Sequence, residues 1–119
     1  VLSHGHYDHF GGLKGVVKTI NKKDLPIIAH ENMMKRRGTA NSKGEIREYS
    51  TLPKIEELFP AKLVYNKEPM LIAKDYACVT GEIPRKVDFE KGLLQNRIFS
   101  DGSWQPDPLI LWMCTCWNN

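Results

Sequence analysis

The sequence predicts an α/β fold, and three observations carry that prediction. An apolar entry segment, Val1-Leu2-Ser3, runs into a helical repeat; a β-branched strand follows the helix; brief strand-like segments then recur toward the C-terminus. Strand, helix and strand in succession make a βαβ unit, so the sheet is expected to be at least partly parallel. At 119 residues the chain is one domain or part of one, given about 100–200 residues per domain. Hydrophobic residues at 41% and charged residues at 26% are an ordinary globular mixture, and a packed core is feasible.

The elements follow in order. Phe10, Leu13, Val16, Val17 and Ile20 recur at helical spacing and predict a helix over residues 10–23, stopped by Asn21-Lys22-Lys23 ahead of Pro26. Leu25-Pro26-Ile27-Ile28-Ala29 predicts a strand with proline at its start, where a missing N–H is tolerated. Residues 31–37 predict a short exposed helix, and residues 38–44, rich in Gly, Asn, Ser and Thr, a mobile loop. Ser50 or Thr51 is expected to cap a second helix, with Pro53 in its first turn and Ile55, Leu58 and Phe59 on its apolar face until Pro60. Residues 63–65, 70–72 and 76–79 predict three brief strands in an antiparallel meander, residues 81–108 mostly loop, and residues 109–113 a last strand.

Three of the four histidines fall within His4-Gly5-His6-Tyr7-Asp8-His9. Imidazole and carboxylate are the ligands taken by zinc, iron and manganese in reactive sites, whereas structural zinc draws mainly on thiolates. His4 and His6, two apart in an extended segment, project to one side and can reach one metal. Asp8 and His9, at the turn into a helix, project differently and can address a second. Gly5, Gly11 and Gly12 keep the backbone slim around them. A surface loop with incidental histidines is the bland alternative, and the density of donors in six residues weighs against it.

The run Leu2-Ser3-His4-Gly5-His6-Tyr7-Asp8-His9-Phe10-Gly11-Gly12-Leu13 resembles the His-x-His-x-Asp-His motif of the metallo-β-lactamase-fold superfamily. The resemblance implies an αββα sandwich, here residues 1–119 as a partial domain without the N-terminal strands and C-terminal ligand segments. It implies His4 and His6 on a first metal, Asp8 and His9 on a second, and Asp8 as the catalytic group acting on a metal-activated water. The implied cofactor is a divalent metal, zinc ahead of iron or manganese.

A second run, Val79-Thr80-Gly81-Glu82-Ile83-Pro84-Arg85 with Asp88-Phe89-Glu90, resembles the branch of the dihydropterin ribofuranosylaminobenzene phosphate synthases of methanopterin biosynthesis. It implies Glu82 and Arg85 as substrate-binding residues and a phosphorylated pterin-type substrate. A plain turn with an exposed Glu/Arg pair stands beside that reading. The branch's Asp-Asp before an apolar strand is answered by Asp107-Pro108-Leu109, and its following Gly-Cys-Ser-His run by Cys114-Thr115-Cys116, so the third and bridging metal ligands are missing.

Other residues are assigned to structure. His30 is read as a hydrogen-bonded strand-end residue, Cys114 and Cys116 as buried thiols on a strand, Lys35-Arg36-Arg37 as a solvated helix face, and Trp104 and Trp112 as packing. Three cysteines without scaffold density, and no apolar run near the ~20 residues of a membrane span, point to a cytoplasmic protein without membrane contact. A net charge of +3 is weak for a nucleic-acid binder. The expected function is that of a metal-dependent hydrolase-like enzyme acting on a small molecule. The competing expectation is a non-catalytic remnant with an incomplete metal half-site; a nucleic-acid partner ranks third.

Overall fold

The computed structural model describes residues 1–49, 54–84, 86–87, 92–108 and 114–116. Helices α1 (Tyr7–Phe10) and α2 (Leu13–Ile20) lead to strand β1 (Pro26–Ala29), a 3₁₀ turn (Glu31–Met34), β2 (Arg37–Ala40) and β3 (Ile46–Tyr49). A second 3₁₀ turn (Ile55–Leu58) precedes β4 (Lys62–Tyr65), β5 (Met70–Ile72), β6 (Ala77–Val79), β7 (Asn96–Ser100), β8 (Ser103–Pro106) and β9 (Cys114–Cys116).

The α/β expectation and its parallel component hold. β1 and β4 pair in parallel, Ile27 opposite Leu63 and Ile28 opposite Val64, and the N–H of Leu2 donates to the Ile28 carbonyl at 2.9 Å, which lays the entry segment along β1. The strand alternation then sorts the core. Ile27 and Ala29 face Phe10, Val17, Met33 and Leu58, while Ile28 faces Val79, Val64, Met70 and Ile72. β1 and β4 therefore form a layer with the helices on one side and β5 and β6 on the other. Helix α2 ends at Asn21, whose left-handed φ of 43° lets its N–H donate to the Val17 carbonyl. Lys14 reaches Glu57 at 3.0 Å and ties α2 to the second 3₁₀ turn.

Several element expectations are corrected. The predicted helix over 10–23 is two helices, because Gly11 and Gly12 break it and allow His9 to turn away from α2. The helix over 31–37 is a single 3₁₀ turn, and Met33 within it is buried, not exposed. Arg37 is not on a solvated helix face: it opens β2 and is 4% exposed. The loop over 38–44 is largely β2 and its tight turn, closed by Asn41, whose side-chain oxygen accepts the N–H groups of Lys43 and Glu45. The second helix is a 3₁₀ turn, its first N–H held by Glu57; its expected caps Ser50 and Thr51 and Pro53 lie outside the described residues. The meander is real only for β5 and β6, since β4 has joined β1.

The largest departure is residues 81–108. They contain the hairpin β7–β8, which adds β7 to β2 and completes a four-stranded antiparallel sheet ordered β3-β2-β7-β8. Tight pairing across Asp101-Gly102, with φ of 52° and 78°, closes that hairpin. The expected strand over 109–113 lies outside the described residues, and β9 pairs antiparallel with β6 just after it. Trp104 packs edge-on against Phe99, and Arg36 covers both rings. Trp112 lies outside the described residues. Among the described residues no helix is long and apolar enough to cross a membrane.

Candidate metal and ligand site

The histidine segment runs extended and then turns. His6 keeps extended angles, φ −88° and ψ 142°, as the residue that precedes α1, and Asp8 and His9 sit within the turn. This change of geometry brings three imidazoles together. The rings of His4 and His6 lie 4.8 Å apart between centroids, and those of His4 and His9 lie 3.9 Å apart. Ser3 Oγ bridges the outer two, 3.2 Å from His4 Nδ1 and 3.3 Å from His9 Nδ1. Asp8 points outward with its side chain 79% exposed, and its Oδ2 lies 3.6 Å from His9 Nε2. Asp8 and His9 also line an open cavity of about 430 Å³ whose walls include Val1, Val16 and Ile20.

Beneath the loop lies a buried ion pair. Arg37 Nε donates to Asp107 Oδ2 at 2.8 Å, with side chains 5% and 1% exposed. Arg37 Nη1 donates to the Asn32 carbonyl at 2.7 Å. Asp107 Oδ2 is also 3.7 Å from His6 Nε2, and the Asn96 amide contacts the same nitrogen at 2.9 Å. A Cβ at Gly5 would fall 2.5 Å from Arg37 Cζ, so only glycine lets the loop rest on the guanidinium. Tyr49 stands edge-on to His6, ring centroids 6.3 Å apart. Its hydroxyl is buried and has no hydrogen-bond partner among the described residues.

Burial, followed by the neighbouring His9 and His6, holds the His4 pKa down to about 4. Burial is also the first cause of a lowered His6 pKa, against which the Asp107 carboxylate pulls upward. These two imidazoles are accordingly neutral at physiological pH, the state in which a histidine binds a metal. Burial and then the Asp107 charge raise the Tyr49 phenol, which therefore remains a proton donor.

The donor set suits a divalent metal in kind: neutral imidazoles, one carboxylate nearby and an unsatisfied hydroxyl beside them. Among the described residues, however, no three His, Cys, Asp or Glu side chains stand together in an arrangement that could hold a metal ion.

The second motif is placed by Gly81. Its φ of 77° turns the chain tightly over Lys67 and Glu68, and the N–H of Glu82 donates to the Lys67 carbonyl at 3.0 Å. The Glu82 carboxylate then meets His30 Nε2, while His30 Nδ1 accepts the N–H of Asn32 at 3.0 Å. With Nδ1 accepting, Nε2 carries the hydrogen and donates to Glu82. Arg85 lies outside the described residues. Cys78 is a free thiol.

Sequence reasoning missed Arg37, Tyr49 and Asn96. Arg37 sits in a basic triplet that reads as solvated, and nothing local distinguishes it from Lys35 and Arg36. Asp107 was visible only as the acidic residue before an apolar run. Each acquires its place through tertiary partners: Tyr49 through pairing of β3 with β2, Asn96 through pairing of β7 with β2, and Arg37 through an ion pair with Asp107 across 70 residues.

A model of the metallo-beta-lactamase superfamily matches residues 1–103. The uncharacterized protein MJ0448 of Methanocaldococcus jannaschii is 38% identical over 96 residues, covering 76% of this chain and 33% of that protein. From the same organism, 7,8-dihydropterin-6-methyl-4-(beta-D-ribofuranosyl)-aminobenzene-5'-phosphate synthase is 57% identical over 35 residues, 29% of this chain and 12% of that one. The crystal structure of Tm1679, a metal-dependent hydrolase of the beta-lactamase superfamily, superposes with a TM-score of 0.64 at 16% identity, covering 97% of this chain and 40% of the other. The chain thus spans a third or less of its two curated relatives. The solved structure shares the fold over nearly the whole chain, and the family model, running from the histidine segment to the start of β8, places this protein in the metallo-beta-lactamase superfamily.

Proposed function

We propose that this chain carries the metal-binding segment of a metal-dependent hydrolase-like enzyme, with His4 and His6 serving one metal, Asp8 and His9 a second, and Asp8 acting on the attacking water. The observation that carries the reading is the ring cluster itself: the His4 ring lies 4.8 Å from that of His6 and 3.9 Å from that of His9, over a buried Arg37–Asp107 pair. A divalent metal, zinc ahead of iron or manganese, would supply Lewis acidity and activation of water there. The chain's own residues hold the loop: Ser3 ties His4 to His9, and Asn96 holds the His6 ring at Nε2. The substrate is a small molecule, and the short match to a synthase whose product name ends in phosphate favours a phosphorylated, pterin-type one. Glu82, fixed by His30, and Arg85 would contact it. The protein would act in the cytoplasm.

The test is calorimetric titration of the EDTA-treated chain with zinc, beside His4→Ala and Asp8→Ala. Affinity at least tenfold lower in each variant is the expected result, as for loss of a ligand or its close support. Equal affinity in all three proteins would remove these residues from the metal site. The second reading, a non-catalytic remnant, is favoured by one observation: no three-donor group exists among the described residues. It requires zinc binding that is weak and unaccompanied by phosphoester hydrolysis, which a hydrolysis assay with Asp8→Ala as control would show.

A further inference from the structure

The sheet β3-β2-β7-β8 turns one face toward the histidine loop. Arg37 lies opposite Tyr49, and Thr39 opposite Arg47, and residues directly opposite on paired strands share a face. Arg37 reaches beneath Gly5, so this face is the one that meets the loop. Three features on it call for a ligand. The Tyr49 hydroxyl is buried beside His6 with no hydrogen-bond partner among the described residues, and such an atom is costly unless something satisfies it. Arg47 is exposed and has no carboxylate partner among the described residues, whereas Arg36 is held by Glu48 and Arg37 by Asp107. Thr39, Arg47, Glu48 and Tyr49 together line an open cavity of about 500 Å³. Glu48 does not oppose an anion there, because both of its oxygens are taken by Arg36 at 2.6 and 2.7 Å.

We propose that this face is an oxyanion subsite, which binds the phosphate group of a small-molecule substrate and presents the rest of it to the histidine loop. Arg47 supplies the charge, and the hydroxyls of Thr39 and Tyr49 supply hydrogen bonds from two further directions, an arrangement suited to a tetrahedral anion with several acceptor oxygens. The Tyr49 hydroxyl, buried and unsatisfied in the free protein, gains its partner when its ring shifts to admit the ligand. The subsite rests on the hydrolase reading for its purpose, but its binding chemistry is independent of metal.

The experiment is titration of the full chain with inorganic phosphate, with and without zinc, for wild type, Tyr49→Phe and Arg47→Met. Arg47→Met is expected to weaken phosphate binding about tenfold or more, and Tyr49→Phe about fivefold, as for charged and neutral hydrogen bonds respectively. Tyr49→Phe is also expected to keep or raise the melting temperature, since it deletes a buried hydroxyl that lacks a partner. A merely structural tyrosine would give the opposite sign. Absence of phosphate binding by wild type, affinity unchanged in both variants, or a melting temperature lowered by Tyr49→Phe would each overturn the proposal. Acetate bound as tightly as phosphate would overturn the assignment to phosphate. Arg47-dependent phosphate binding without zinc upholds the subsite even if zinc binding fails; zinc binding with no effect of either variant on phosphate keeps the hydrolase reading and removes the subsite.

Discussion

Replacing Gly5 with alanine adds one methyl group at the most confined point beneath the histidine loop. Gly5 does not have a positive φ, so the effect comes from contact alone. The new Cβ would lie 2.5 Å from Arg37 Cζ and 3.0 Å from Nη2. A flexible surface side chain would swing away at small cost. This side chain is only 5% exposed, and its guanidinium is fixed at Nε by Asp107 and at Nη1 by the Asn32 carbonyl. The loop can lift off the pair, an overpacking cost of about 1–3 kcal/mol. Otherwise the pair breaks, which costs about 3–5 kcal/mol. The cheaper response wins, so the expected loss is about 2 kcal/mol, with His4 and His6 displaced together. Urea unfolding reads it: with a slope of about 1–3 kcal/mol per molar, the midpoint should fall by roughly 1 M. Gly15→Ala is the internal control, because Gly15 lies inside α2 with nothing within 4 Å of its Cβ position. It should gain about 0.5–1 kcal/mol from helix propensity. A Gly5→Ala midpoint equal to wild type, with Gly15→Ala behaving as expected, would refute the claim that the loop rests on Arg37.

Two further outcomes follow from the same cluster. Asp107→Ala leaves Arg37 charged and buried without its carboxylate, and should cost about 3–5 kcal/mol in urea unfolding, far more than removing an exposed partner such as Glu57; a loss below 1 kcal/mol would mean that the pair is hydrated. In the metal-free chain, His4 has a folded-state pKa of about 4 against an ordinary 6.5, so between those values the unfolded state binds the additional proton. Stability should therefore be full above pH 6.5 and decline as pH falls toward 4, with His6 acting in the same direction; midpoints that stay level over that window in wild type, and match those of His4→Ala, would contradict it.

What the sequence determined by itself was local in origin. Helical spacing from Leu13 to Ile20, the β-branched segment Ile27-Ile28-Ala29 and the strand candidates at 63–65, 70–72 and 76–79 read correctly as elements, because each signal is contained within a few residues. The histidine-rich segment from His4 to His9 was equally visible as a cluster, since spacing within one loop is a property of adjacent residues. Tertiary structure decided what depends on partners far along the chain. Residues 96–106 carry little period-two alternation, yet β7 becomes a strand because β2 offers it hydrogen bonds and Ile98 a buried place. Arg37 reads as a solvent charge until Asp107, 70 residues away, makes its burial tolerable. Pairing of β3 with β2 sets Tyr49 beside His6 and aligns Arg47 with Thr39. Charge compensation and strand register are relations between distant residues, and only the folded chain supplies both members of each relation.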